Sequence, residues 1–207
     1  MSKIDTLHTA CQRIIYWLIA RPVAFLVRIG VRPNHITILS LIGSIVASYL
    51  IIIGHIGTGG SLILAFSALD MVDGYMARAH HLETRFGAFL DSVTDRYCEL
   101  VTLFAIHAYL FSTNGLWTSL WVAAALMGSL MVSYTRARAE GLGIDCKIGL
   151  MQRPERVVVT ALGCVLVPLC SSTLPIIIAM ALIAILSNLT AIVRIIHVKN
   201  TIKQTDQ

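Results

Sequence analysis

Charge is scarce in this 207-residue chain: Asp, Glu, Lys and Arg make up 13% of it, hydrophobic residues 57%, and mean hydropathy is +0.79. Soluble domains carry about a quarter charged residues, so that class is excluded and an integral membrane domain is indicated. Cysteine is equally uninformative as a framework. Cys11, Cys98, Cys146, Cys164 and Cys170 form no C-x-x-C pair and no metal-ligand spacing, and the seven histidines are scattered, which removes a disulfide scaffold and a zinc site. No small-residue cleavage site follows a short apolar core in the first 30 residues, so they do not read as a signal peptide. A soluble basic domain and a recognisable reader motif are also missing, and the net charge of +5 therefore does not point to nucleic acid.

What the chain has instead is apolar runs. Spanning about 30 Å of hydrocarbon takes about 20 helical residues, and runs of suitable length occur near 35–55, 60–79, 86–110, 115–138, 155–171 and 174–197. Turn chemistry separates several of them, at Gly57-Thr-Gly-Gly60, Ser112-Thr-Asn-Gly115 and Cys170-Ser-Ser-Thr-Leu-Pro175. The expectation is an all-α membrane protein of six transmembrane helices over residues 33–200, with a tail over 201–207. In the segment 1–32, Ile4, Leu7, Cys11, Ile14, Ile15, Leu18 and Ile19 recur at helical spacing, which predicts an amphipathic helix lying on the membrane surface; a further span is the alternative. Lys and Arg are absent from three of the connections and cluster before span 1, between spans 2 and 3, around the 4–5 loop and at the end of the chain. Positive-inside logic then puts both termini and those two loops in the cytoplasm, in a multi-pass protein of the cell inner membrane. The one-sided positive charge faces anionic membrane lipids and anionic substrates.

Four carboxylates interrupt these oily segments: Asp70, Asp73, Asp91 and Asp95. An acidic residue at a helix centre costs roughly 2.5–3.5 kcal/mol on insertion scales, so such a cluster needs compensation by cations or a polar cavity. Spacings of three and four place each pair on one helix face. Gly74 and Ala77 share the first face and Gly87 the second, allowing close backbone approach. All-oxygen ligation selects hard cations, and two of them, Mg²⁺ or Mn²⁺, would balance four carboxylates in an arrangement suited to phosphoryl transfer. Arg78, one turn past Gly74, supplies a guanidinium for a diphosphate. Internal salt bridges to Arg78, Arg85 and Arg96 are the structural alternative.

The run Asp70-x-x-Asp73-Gly74-x-x-Ala77-Arg78, eight residues, Gly87-x-x-x-Asp91-x-x-x-Asp95 resembles, without departure, the signature of the CDP-alcohol phosphotransferases, which move a phosphatidyl group from a CDP-linked lipid to an alcohol and release CMP. The resemblance implies six membrane helices preceded by a juxtamembrane helix, two metal ions per site and a homodimer. It also implies roles: Asp70 and Asp91 bridging both ions, Asp73 completing the first metal site, and Asp95 serving the second while acting as general base. Gly74, Arg78 and Thr84, with Asn34, His35, Ile36 and Thr37, would bind the CDP-lipid, CDP-diacylglycerol.

A second basic cluster bears on the acceptor. Arg136 lies in Ser133-Tyr-Thr-Arg-Ala-Arg-Ala-Glu140, Arg153 and Arg156 in Arg153-Pro-Glu-Arg156, and Arg194 near the end of span 6. These are more cations than an uncharged alcohol requires, and their fork geometry suits phosphate, so the acceptor is expected to be a phosphorylated polyol. Topological anchoring would also account for basic residues here. The two segments look like those of bacterial phosphatidylinositol phosphate synthases, SYxKARAE and RPER, which implies inositol 1-phosphate held by Ser133, Arg136, Arg156 and Arg194. Arg136 replaces that subfamily's lysine, Gln152 an acid, and Asn34 its commoner acid. Glycerol 3-phosphate, and hence a phosphatidylglycerophosphate synthase, is the rival within the family. A divalent-ion transporter is the rival outside it, although the internal repeat usual in transporters is absent.

Overall fold

The computed structural model describes residues 20–205, and every regular element among them is a helix. In chain order these are α1 (residues 20–28), α2 (Pro33–Ile52), α3 (Ile56–Ala79), α4 (Arg85–Asn114), α5 (Leu116–Glu140), α6 (Arg153–Cys170) and α7 (Leu174–Thr205). The helices α2, α3, α5 and α7 are long and apolar enough to cross a membrane, which makes this an integral membrane protein. By that measure α4 and α6 fall short: α4 carries Arg85, Asp91, Asp95, Arg96 and Glu99 in its first half and His107 and the polar Ser112-Thr-Asn114 end in its second, and the 18 residues of α6 include Arg153, Glu155 and Arg156. Residues 4–19, which carry most of the expected surface helix, lie outside the described residues.

Two boundaries differ from expectation. The chain breaks at residues 53–55, not at Gly57–Gly60. Gly54, at φ +94°, terminates α2, with the His55 N–H donating to the Leu50 carbonyl at 2.8 Å, as left-handed C-terminal caps do. The glycines that looked like a turn begin α3 and serve packing: a Cβ on Gly57 would meet Pro168, one on Gly59 would meet Ile51, and one on Gly60 would meet Cys164, all within 2.6 Å. The predicted tail is likewise helical as far as Thr205.

The chain divides into two compact units. The first comprises the described part of Met1–Ile42 together with Ala65–Asp95. Its core is small, formed by Val23, Ile36 and Met76 with Leu26, Val27, Leu69 and Val72 around them. Ser40 donates to the Phe66 carbonyl at 3.3 Å, tying α2 to α3. The second unit, Gly43–Leu64 with Arg96–Gln207, has an extended core that includes Ile51, Ile106, Leu110, Val122, Cys164, Met180 and Ile183. Here the small residues admit close helix approach: Gly128 of α5 lies against Ser187 and Asn188 of α7, and Gly163 of α6 against Ile176 and Ala179. The side chain of Asn188 donates across this contact to the Ala124 carbonyl at 3.1 Å, giving a part-buried polar bond between the two helices.

Candidate active site

In the first unit, α3 carries Asp70 and Asp73 and α4 carries Asp91 and Asp95, with the helical spacing expected. Asp70, Asp91 and Asp95 each offer a carboxylate oxygen, and these oxygens lie within 4.8 Å of one another. The fourth aspartate is placed differently. Asp73 is buried, and its Oδ2 accepts a 2.6 Å hydrogen bond from Thr37 Oγ1 of α2, itself buried.

A pocket of about 180 Å³ adjoins this cluster, lined by Asn34, Thr37, Asp73, Gly74, Arg78, Thr84, Gly87 and Asp91 among others. Two glycines line it, the tighter approach being at Gly87. A Cβ on Gly74 would stand 3.4 Å from both terminal nitrogens of Arg78, and one on Gly87 would stand 2.9 Å from Thr84 Oγ1 and 3.1 Å from Asn34 Oδ1. Thr84 caps α4, its hydroxyl accepting the Gly87 N–H at 2.9 Å, so the pocket opens onto a helix N-terminus, a favourable place for phosphate oxygens. Two of the residues expected here are elsewhere. Asn34 and Thr37, three apart on α2, face the pocket, whereas Ile36 belongs to the apolar core and His35 Nδ1 accepts the Arg32 N–H at 3.3 Å.

The second unit holds the arginines expected at the acceptor, and it engages them more fully than the sequence suggested. Arg156, 2% exposed, donates from Nε and a terminal nitrogen to the two oxygens of Glu99 at 2.6 and 2.9 Å, and from its other terminal nitrogen to the Met151 carbonyl at 3.2 Å. Arg194, also buried, donates to the carbonyls of Ile148 at 2.8 Å and Val132 at 2.5 Å. Arg136 stays partly exposed and pairs with Glu140 at 2.8 Å; Ser133 and Arg153 are half-buried. Arg194 reaches the Val132 carbonyl one turn before Arg136 and, with Arg156, the backbone of residues 148–151, so the three cations share one neighbourhood. Sequence reasoning missed Glu99. Its only signal is spacing, because Asp91, Asp95 and Glu99 recur every four residues.

Residues 30–198 match the CDP-alcohol phosphatidyltransferase family. This chain belongs to that family. It is a transferase accordingly, and its relatives bear on the substrate. An archaetidylinositol phosphate synthase of Methanothermobacter thermautotrophicus is 39% identical over 136 residues, 66% of this chain and 67% of that protein. The phosphatidylinositol phosphate synthase of Mycobacteroides abscessus is 37% identical over 143 residues, 68% of this chain and 64% of that one. The chain thus spans about two thirds of the length of these curated relatives. The crystal structure of Mycobacterium tuberculosis phosphatidylinositol phosphate synthase with CDP-DAG bound superimposes with a TM-score of 0.81 at 28% identity, covering 86% of this chain and 92% of that one. The same enzyme in complex with manganese and citrate gives 0.80, covering 86% and 87%.

The donor set here fits such a metal. Three carboxylate oxygens within 4.8 Å, with no sulfur or imidazole among them, suit a hard divalent cation.

Proposed function

We propose that this chain transfers the phosphatidyl group of CDP-diacylglycerol to a hydroxyl of a phosphorylated polyol, inositol 1-phosphate, releasing CMP. One observation carries the reading: Asp91 belongs both to the carboxylate cluster and to the wall of the pocket that holds Gly74, Arg78 and Thr84. A diphosphate in that pocket would meet the Arg78 guanidinium and the capped end of α4 on one side and the aspartates on the other. Like charges exclude each other there unless cations intervene. Two divalent ions, Mg²⁺ or Mn²⁺, held by Asp70, Asp73, Asp91 and Asp95 supply that neutralisation and polarise the diphosphate. Asn34 and Thr84 bound the headgroup end, and the absence of Cβ atoms at Gly74 and Gly87 keeps room for it. The acceptor hydroxyl attacks the phosphorus bearing the diacylglycerol, the P–O bond to CMP breaks, and the hydroxyl proton passes to Asp95.

The acceptor assignment draws on Ser133, Arg136, Arg153, Arg156 and Arg194. It is also supported by the relatives, whose names differ in the lipid moiety yet share inositol phosphate. The wider frame is six spans, α4 and α6 included, preceded by a juxtamembrane surface helix, with both termini and the active site cytoplasmic, and assembly as a homodimer.

The deciding experiment supplies purified protein with CDP-diacylglycerol, Mg²⁺ or Mn²⁺, and a panel of free and phosphorylated polyols, following CMP and lipid product together. Inositol 1-phosphate should give the highest kcat/KM. Preference for glycerol 3-phosphate would make the chain a phosphatidylglycerophosphate synthase, and ion flux into liposomes without CMP release would replace the enzyme with a transporter.

A further inference from the structure

Resting on the phosphorylated-acceptor reading above, we infer that Glu99 is a positioning residue that aims Arg156 at the acceptor's phosphate. The geometry is specific. A guanidinium has five N–H donors in one plane. Glu99 takes two of them side-on with both carboxylate oxygens, at 2.6 and 2.9 Å, and the Met151 carbonyl takes a third at 3.2 Å. Three bonds from two directions fix the plane and leave two N–H groups with a set direction. The charges of Glu99 and Arg156 cancel, so what this pair offers an anion is direction. Net attraction comes from Arg194, whose bonds go to neutral carbonyls of Ile148 and Val132. A buried ion pair is a weak source of stability, because desolvation offsets the attraction, and it is better suited to holding one arrangement among several.

The loop between α5 and α6 completes the arrangement. Both arginines bond to its backbone, at Ile148 and Met151, so the path of the loop and the aim of Arg156 are set together.

The test is a double-mutant cycle of Glu99→Gln and Arg156→Gln in the full-length, detergent-solubilised protein, reading KM for inositol 1-phosphate, KM for CDP-diacylglycerol and Tm. Glu99→Gln should raise the acceptor KM by about tenfold while leaving the CDP-lipid KM within about twofold, and it should have no further effect once Arg156 is Gln. If Glu99→Gln does not fold, Glu99→Asp, which keeps the charge and shortens the reach, should show the same dependence on Arg156. An equal effect of Glu99→Gln with and without Arg156 would overturn the inference, since Glu99 would then act by another route. A lowered acceptor KM would overturn it too, showing that Glu99 competes with phosphate for Arg156. The underlying acceptor reading fails separately, if Arg156→Gln leaves the acceptor KM unchanged.

Discussion

Replacing Thr37 by Val removes one hydrogen bond and almost nothing else. The two side chains are nearly the same size, Thr37 is 3% exposed and Asp73 4%, so the substitution neither opens a cavity nor admits water readily. The Thr37 hydroxyl has one proton and two acceptors in reach, Asp73 Oδ2 at 2.6 Å and the Pro33 carbonyl at 3.2 Å, and the shorter, charge-assisted contact takes it. Hydrogen bonds to a charged partner contribute roughly 1.5–3 kcal/mol. If Asp73 is a metal ligand, much of that appears in metal affinity, in keeping with the roughly 10–100-fold typical for a partner of a ligating residue. Mn²⁺ binding followed by paramagnetic resonance should weaken by about tenfold or more in Thr37→Val, recover in Thr37→Ser, and shift the Mn²⁺ concentration for half-maximal turnover in parallel. Unchanged Mn²⁺ affinity in Thr37→Val would refute the chain of reasoning at its first step, by showing that Asp73 does not hold the ion or that Thr37 does not hold Asp73.

Chelation by EDTA should abolish CMP release and added Mg²⁺ or Mn²⁺ restore it, while Asp70→Asn and Asp91→Asn should each be inactive; normal activity in either would sink the two-metal reading. Asp95→Asn should slow turnover by about 10²-fold or more while CDP-lipid binding in the presence of metal persists, and an equal loss of binding would make Asp95 chiefly a ligand. In the second unit, Gly128→Ala puts a Cβ 2.7 Å from the Asn188 amide nitrogen and 3.0 Å from its backbone N, so Tm should fall by an amount corresponding to about 1–3 kcal/mol of overpacking. An unaltered Tm would mean that α5 and α7 separate at little cost.

The carboxylate half of the candidate site was legible because helical periodicity alone brings Asp70, Asp91 and Asp95 to usable faces, and because carboxylates in oily segments demand an explanation. The pocket was half legible: Asn34, Thr37, Gly74, Arg78 and Thr84 line it, but a contiguous stretch cannot put His35 and Ile36 there as well, since neighbouring residues on a helix point about 100° apart. The arginines were the hardest. Positive charge near the helix ends is visible in sequence, whereas its neutralisation is not, because Glu99 lies 57 residues from Arg156 and pairing at that distance is a product of packing. The misplaced break at Gly57–Gly60 has a similar cause. A glycine that ends a helix and a glycine that lets two helices touch look alike until the neighbour is known.

The loop between α5 and α6 is tied to α6 and α7 through main-chain carbonyls, those of Asp145, Ile148 and Met151 meeting His197, Arg194 and Arg156, and through the buried side chains of Cys146 and Met151. Every residue type carries a carbonyl, proline included. The side chains of Lys147 and Leu150, of which Leu150 is 74% exposed, are therefore not what holds the segment in place. In a saturation library the loop should accept wide variation at those two positions, while the constraint on its shape is written in the arginines of α6 and α7 and, within the loop, at Gly149, whose φ of +129° and approach to Thr190 leave no place for a Cβ.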